Sequence, residues 1–179
     1  MDMKFKNITT LNLDIYMEGI KESYRLTHRI SRAFSYAYAI IMLVIACAFF
    51  LSADRLIGVF FLLFFLVIFF WNLVGYRLGT KGSFLDFAKL HGSHYQVEME
   101  YRFYEDRLEQ ETDKTELTVL YNKIDVVYVT DKLILIIFDK KVIIIDKLSF
   151  IDCKYQDVIK FIQQNNVKVT YIRRQVNSD

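Results

Sequence analysis

The stretch KLILIIFDKKVIIID, residues 132–146, decides how the second half of this chain folds. Its apolar runs LILIIF and VIII are six and four residues long, and Asp139, Lys140 and Lys141 separate them. A membrane-spanning helix needs about twenty apolar residues, so neither run can cross a bilayer. Ile and Val dominate both runs and favour strands that are buried on both faces. The stretch therefore predicts a β-hairpin in a folded core.

The segment after this hairpin, DCKYQDVIKFIQQNN, has the pattern of an amphipathic helix. Asp152 is expected as its N-cap, and Asn165 and Asn166 are expected to end it. Apolar residues recur at i, i+3, i+4 and i+7, which places them on one stripe. The stripe consists of Tyr155, Val158, Ile159 and Ile162. We expect it to cover the hairpin.

The segment before the hairpin alternates between apolar and polar residues, which is typical of strands with one buried face. The set expected to face inward is Val97, Met99, Tyr101 and Phe103, and the outward set is Glu98, Glu100, Arg102 and Tyr104. Further strands are expected in LEQET, TELTVLYNKI and VVYVT, with a last strand early in the tail. About six antiparallel strands closed by a helix predict an α+β fold with the layout of a pleckstrin-homology-like (PH-like) barrel.

Two long apolar blocks precede this domain and predict a transmembrane hairpin over residues 33–76. The first block, 33–53, has 21 residues without a charge, and the second block covers 56–76. A helix of that length spans the hydrocarbon core of a bilayer. Because only Asp54 and Arg55 separate the blocks, the chain should return to its starting side.

Flanking positive charge predicts that both termini are cytoplasmic, in a multi-pass protein of the cell membrane. Basic residues precede the first block and follow the second, whereas the short loop between them has Arg55 alone. Aromatic residues near the same ends are expected to lie at the membrane interface. The expected interface anchors are Arg25, Arg29, Arg32, Tyr36, Trp71, Tyr76, Arg77 and Lys81. Small residues spaced by four, such as Ala33 and Ala37, also permit a homo-oligomer.

The remaining segments are assigned as follows. Residues 1–32 are expected to form a strand and a juxtamembrane helix, with Thr10 or Asn12 as N-cap, and the sequence leaves open whether this strand joins the sheet. Residues 77–93 are expected to be an interfacial linker. Its glycines loosen the chain, and its large apolar side chains are expected to lie in the bilayer interface; these are Phe84, Leu85, Phe87 and Leu90. The PH-like domain is assigned to 94–166 and a tail to 167–179.

The blocks YRFYEDRLEQET at 101–112 and LTVLYNKIDVVYVTDKLILIIFDKKVIIIDKLSF at 117–150, followed by the helix, resemble the YcxB-like family of bacterial membrane proteins. The resemblance implies a transmembrane hairpin paired with a cytoplasmic PH-like domain, with a strand and a helix before the hairpin. It implies no particular biochemical activity.

No motif in the chain points to catalysis or to a cofactor. An enzyme needs a nucleophile with a base, a carboxylate pair in a pocket or a phosphate-binding loop, and the sequence offers none of these patterns. His91 and His94 form an H-x-x-H on a Gly-Ser turn, which is an incomplete metal site. We therefore expect a protein that is not an enzyme, without metal or cofactor, and without a nucleic-acid partner.

Charge suggests the kind of partner. Residues 94–165 carry 14 acidic and 10 basic side chains, although the whole chain has a net charge of +2. An acidic domain favours a protein partner over an anionic lipid headgroup. The expected interaction surface is Glu98, Glu100, Glu109, Glu111, Lys140 and Lys141. The leading hypothesis is a membrane-anchored interaction module, and the alternatives are an immunity protein that neutralises a toxin at the membrane and a module that binds lipid headgroups.

Overall fold

The computed structural model describes residues 2–27, 29–52, 55–70, 76–93 and 95–172. Within these ranges the chain has an α+β architecture with five α-helices and two β-sheets. The helices are α1 Leu13–Thr27, α2 Arg29–Leu51, α3 Arg55–Phe70, α4 Tyr76–Leu90 and α5 Tyr155–Gln164. The strands are β1 Phe5–Asn12, β2 Gln96–Phe103, β3 Arg107–Glu111, β4 Glu116–Leu120, β5 Val126–Val129, β6 Leu133–Phe138, β7 Lys141–Asp146, β8 Phe150–Ile151 and β9 Val169–Tyr171.

The chain divides into two compact units. One unit, called here the globular unit, combines residues 1–23 with residues 84–179, and the other covers residues 24–83. The N-terminal strand therefore belongs to the globular unit, which settles a point that the sequence left open. The boundaries fall inside α1 and inside α4.

Five strands form sheet A, in the order β4-β3-β2-β1-β8. Strand β1 pairs antiparallel with β2 over its whole length, from Phe5 opposite Phe103 to Asn12 opposite Gln96. The predicted alternation in β2 is confirmed, because its four apolar side chains are all buried. These are Val97, Met99, Tyr101 and Phe103.

Four strands form sheet B, in the order β7-β6-β5-β9. The predicted hairpin at 132–146 is confirmed: β6 and β7 pair antiparallel, and all six residues of β6 are buried. Asp139 and Lys140 make the turn with φ angles of 43° and 61°, as a two-residue hairpin loop of type I′ requires. The last strand predicted in the tail is also confirmed, because β9 pairs with β5, in parallel.

Side chains of β1 connect the two sheets. Asn7 and Thr9 are fully buried in the middle of this strand. The Asn7 amide donates to the carbonyl oxygen of Asp146 at 2.9 Å, and the backbone N–H of Asp146 donates to Thr9 Oγ1 at 3.0 Å. Thr9 Oγ1 in turn donates to Asn7 Oδ1 at 2.7 Å. These bonds satisfy the end of β7, where a regular ladder stops.

Helix α5 places its apolar stripe on the core, as predicted, and Val158, Ile159 and Ile162 are fully buried. The prediction that Asp152 is the N-cap was wrong. Asp152 adopts a positive φ of 57°, and the helix begins at Tyr155 after Lys154, so the chain turns before the helix starts. The expected end is confirmed, because Asn165 is the C-cap and Asn166 follows with a φ of 61°.

Most of the expected linker 77–93 is helical, since α4 runs to Leu90. Its glycines do not interrupt the helix, and beyond the unit boundary Phe84 and Ala88 are fully buried in the core of the globular unit. The Phe84 ring lies 5.2 Å from the ring of Tyr16, centroid to centroid. Burial against α1, which a linear pattern does not reveal, explains why Phe84 belongs to the protein core instead of a bilayer interface.

Helix α1 begins at the expected cap, since Asn12 Oδ1 accepts the backbone N–H of Ile15 at 2.9 Å. It packs closely on β7. A Cβ atom at Gly19 would lie only 2.6 Å from Ile144 Cδ1, so glycine permits this approach. The backbone of α1 therefore packs directly on the side chain of Ile144.

The second unit contains α2 and α3. Residues Ala33–Leu51 of α2 are long and apolar enough to cross a membrane, the one such helix in the described part of the chain. Helix α3 is apolar but has 16 residues, and residues 71–75 of the second expected span lie outside the described ranges. The two helices are in contact: a Cβ at Gly58 would lie 3.2 Å from the Ala46 carbonyl oxygen.

Candidate functional site

A groove of about 390 Å³ lies on the outer face of sheet A and gathers most of the acidic residues predicted as an interaction surface. The acidic groove, as we call it, is lined by His91, Gln96, Val97, Glu98, Glu100, Arg102, Glu111, Thr112 and Asp113. Strand alternation explains its polarity, because the apolar neighbours of these residues face the core.

The register of sheet A places three carboxylates side by side. Glu100 of β2 lies directly opposite Glu111 of β3, and Glu111 lies directly opposite Glu116 of β4. We call these three residues the glutamate row. Like charges directly opposite each other destabilise a sheet, so this row works against folding.

Basic side chains offset part of this repulsion. Arg102 bonds Glu100 through Nε at 2.6 Å and Glu111 through Nη2 at 2.7 Å. Lys6 Nζ lies 2.9 Å from the same Glu100 carboxylate. The hydrogen bond from Lys6, followed by the bond and charge of Arg102, lowers the pKa of Glu100 below its ordinary value. At the outer end of the row, Glu116 has no ion pair among the described residues, so its charge stays available.

The other predicted surface residues lie elsewhere or play another part. Glu109 pairs with Arg107 at 2.8 Å. Glu98 lies in the groove opposite Thr10 and outside the glutamate row. Lys140 lies in the turn between β6 and β7, and Lys141 lines a different cavity. The residues predicted as one surface therefore lie in at least two separate places, the face of sheet A and the β6–β7 turn. Glu116, which sequence reasoning did not select, belongs to the first of these as the outer member of the glutamate row. Only the strand register could have revealed it.

His91 is held by the fold. Its Nδ1 donates to the carbonyl oxygen of Phe87 at 2.9 Å, and Nε2 lies 3.0 Å from Thr112 Oγ1. Both ring nitrogens are thus engaged, which leaves neither lone pair directed at a metal. His94 of the H-x-x-H pattern lies outside the described residues. The described residues contain no group of three His, Cys, Asp or Glu side chains able to hold a metal ion.

A larger cavity of about 490 Å³ lies between the start of α1, the start of β6 and the end of β7, and two of its charged groups, Asp146 and Lys147, are bonded within the fold. Lys147 Nζ donates to the carbonyl oxygen of Thr130 and lies 4.4 Å from the centre of the Tyr155 ring. Burial lowers the pKa of Lys147. Asp146 Oδ1 accepts the backbone N–H of Leu148 at 3.0 Å. This cavity is therefore a weaker candidate for a binding site than the acidic groove.

The expected membrane anchors are only partly described. Arg25 near the end of α1, Tyr36 in α2 and Lys81 in α4 are exposed, as an interfacial position requires. Trp71 lies outside the described residues, as do the side chains of Arg29, Arg32, Tyr76 and Arg77. Their assignment as anchors stays a prediction.

Comparison with known proteins gave no relative: no family model, no curated protein and no solved structure matches this chain. A cross-strand row of carboxylates on an open sheet face is suited to contact a cationic group.

Proposed function

We propose that the protein is a membrane-anchored, non-enzymatic interaction module, whose globular unit binds a basic segment of a protein partner at the inner face of the bacterial membrane. The glutamate row carries this proposal. A sequence that keeps three like charges opposite one another loses stability, and local rules of this kind are mainly broken where function requires it.

The edge strand of sheet A suggests how the partner binds. Strand β4 is the terminal strand on this side of the sheet in the described structure, so its outer backbone groups can pair with an added strand. Thr118 of β4 faces the same side of the sheet as the glutamate row, to which Glu116 of the same strand belongs. An extended partner segment could therefore pair with β4 while its Lys or Arg side chains contact Glu111 and Glu116.

The architecture of the globular unit supports a PH-like domain of the YcxB-like type. Two sheets of mostly antiparallel strands enclose one core, and the C-terminal helix α5 packs its apolar stripe on that core. The strand and helix that precede the apolar blocks are present as β1 and the first part of α1. The order of elements is the order that the resemblance implies.

Helices α2 and α3 support a two-span membrane hairpin, and the basic residues that flank it favour both termini in the cytoplasm. Helix α2 has the length and composition to cross. At about 1.5 Å per residue α3 covers roughly 24 Å, and residues 71–75 of the proposed second span lie outside the described ranges. The close approach of Gly58 to Ala46 is typical of helices packed in lipid, where small residues line interfaces. Such helices can also support a homo-oligomer.

The proposal is tested by site-specific photo-crosslinking of the full-length protein in its native membrane. A crosslinking amino acid at Thr118 on β4 is compared with one at Gln163, an exposed position on α5. We expect one dominant protein product from position 118 that is absent from position 163, and weaker when Glu111→Gln and Glu116→Thr are combined. Equal products from both positions, or capture that ignores the two substitutions, would contradict the proposal. A toxin as the captured partner would favour the immunity role.

A further inference from the structure

A separate cavity of about 220 Å³ lies within the globular unit, on the inner face of sheet A. We call it the interior cavity. Its apolar wall comes from both sheets and from α1 and α4. The residues that form most of this wall are Leu11, Tyr16, Phe87, Met99, Leu117 and Ile143. Because successive side chains of a strand point to opposite faces, this cavity is independent of the acidic groove.

Apart from Gln110 and Lys141, the wall of the interior cavity offers little to water. Tyr101, which is fully buried, donates its hydroxyl proton to the carbonyl oxygen of Ile144 at 3.0 Å, so this polar group is already satisfied. Burial accordingly raises the pKa of Tyr101. A pocket whose lining is mostly apolar favours an aliphatic chain over water.

Two polar side chains in the wall of this cavity can orient a bound ligand. Lys141, at the first position of β7, is exposed, and it makes no ion pair among the described residues. Gln110 of β3 is half-buried, and the described part of the chain provides no hydrogen bond for its amide. An apolar pocket with a few polar groups on its lining is the usual form of a ligand site, in which the polar groups orient the ligand.

We infer that the interior cavity binds part of the aliphatic chain of an amphiphile, whose anionic head contacts the Lys141 ammonium group and the Gln110 amide. A free fatty acid and an anionic phospholipid share this chemistry. A cationic or purely aromatic ligand would leave Lys141 repelled or unused. The inference does not depend on a protein partner at the acidic groove.

The test uses the purified full-length chain in nanodiscs. Two probes are compared: a diazirine-bearing palmitic acid, and a phosphatidylglycerol with the diazirine on one acyl chain, each irradiated and mapped by peptide mass spectrometry. We expect label on the β2, β4 and β7 peptides that contain Met99, Leu117 and Ile143, and excess unlabelled palmitate or phosphatidylglycerol should remove it. The probe that labels at the lower concentration identifies the source of the chain.

Matched variants separate this site from general lipid contact. Leu117→Phe fills the cavity and should abolish labelling of β2 and β7. Lys141→Gln removes the contact with the head group and should weaken binding of the anionic probe about tenfold, the effect of losing one charge-assisted hydrogen bond. Lys140→Gln, one residue earlier, changes the charge equally without touching the cavity, and should bind like the wild type.

Label confined to α2 and α3 would overturn the inference, as would equal labelling in Leu117→Phe. Equal affinities in Lys141→Gln and Lys140→Gln would overturn the proposed role of Lys141. Since Lys141 is exposed, its variant should fold normally, so the test does not depend on how well Leu117→Phe folds.

Discussion

The backbone N–H of Asp146 donates to the side-chain hydroxyl of Thr9 across 137 positions of sequence, at 3.0 Å. This bond joins the end of β7 to the middle of β1 and so connects the two sheets. It depends on a hydroxyl that both accepts from the backbone and donates to Asn7. A single side chain thus satisfies two buried polar groups.

Thr9→Val keeps the shape of this residue and removes its hydroxyl, so we expect a loss of stability of about 2–4 kcal/mol. The backbone N–H of Asp146 and the side-chain oxygen Oδ1 of Asn7 would both lose their partner. Thermal and urea unfolding of the full chain in detergent measures the effect. Thr9→Ser keeps the hydroxyl and should cost clearly less, and equal losses in the two variants would contradict the role of the bond.

Glu116→Thr is expected to stabilise the protein by about 0.2–1 kcal/mol, because it removes one of two like-charge cross-strand pairs from the glutamate row. The same substitution at Glu98 provides the control, since Glu98 lies opposite Thr10. Denaturant unfolding should show a larger gain for Glu116→Thr than for Glu98→Thr. Weaker partner capture by the more stable variant would show that the row is kept for binding.

Gly19→Ala and Gly82→Ala make the same chemical change in two helices with opposite expected signs. At Gly19 the added methyl meets Ile144, so we expect a loss of about 1–3 kcal/mol despite better helix propensity. At Gly82 nothing lies within 4 Å, and the gain should approach 1 kcal/mol. Circular dichroism during thermal unfolding distinguishes the two, and a gain at Gly19 would refute the close packing of α1 on β7.

Lys140→Gly should stabilise the β6–β7 hairpin by about 1 kcal/mol. The left-handed φ of 61° at this position strains any residue with a Cβ, and glycine adopts it freely. Lys140→Ala removes the same charge and keeps the strain, so it should not stabilise. If alanine and glycine give the same melting temperature, strain in the turn is not the cause.

Acid should weaken the globular unit partly through Glu100. Its pKa is lowered in the folded state by Lys6 and Arg102, so its stabilising contribution is present above the ordinary value of 4.5 and is lost as pH falls through the lowered pKa. Urea midpoints between pH 6 and pH 3 should therefore fall more steeply for the wild type than for Glu100→Gln. Parallel curves would show that these ion pairs contribute nothing to acid stability.

The parts of the fold that sequence could predict are those encoded by local periodicity. Alternation at Val97–Phe103 and the broken apolar run around Asp139 predict strands without any knowledge of their partners, and the stripe of α5 predicts a covering helix. Phe84 and Gly19 could not be assigned in this way. Their roles depend on what packs against them, which the sequence of their own segments does not show.

The candidate site was predictable in composition and not in arrangement. Acidic residues at alternate positions indicated a polar face, and the structure has such a face. The glutamate row arises from the pairing of β2, β3 and β4, which is set by the turns between them. The link from Asn7 and Thr9 to Asp146 is equally non-local.

The globular unit is discontinuous, because its first strand is separated from the rest by residues 24–83. During synthesis β1 leaves the ribosome well before β2, so it stays unpaired while the apolar helices are made. Its pairing with β2 and β8 closes very long loops, which makes this step late and slow. Chain order thus makes assembly of the globular unit the last event, after the apolar segments have emerged.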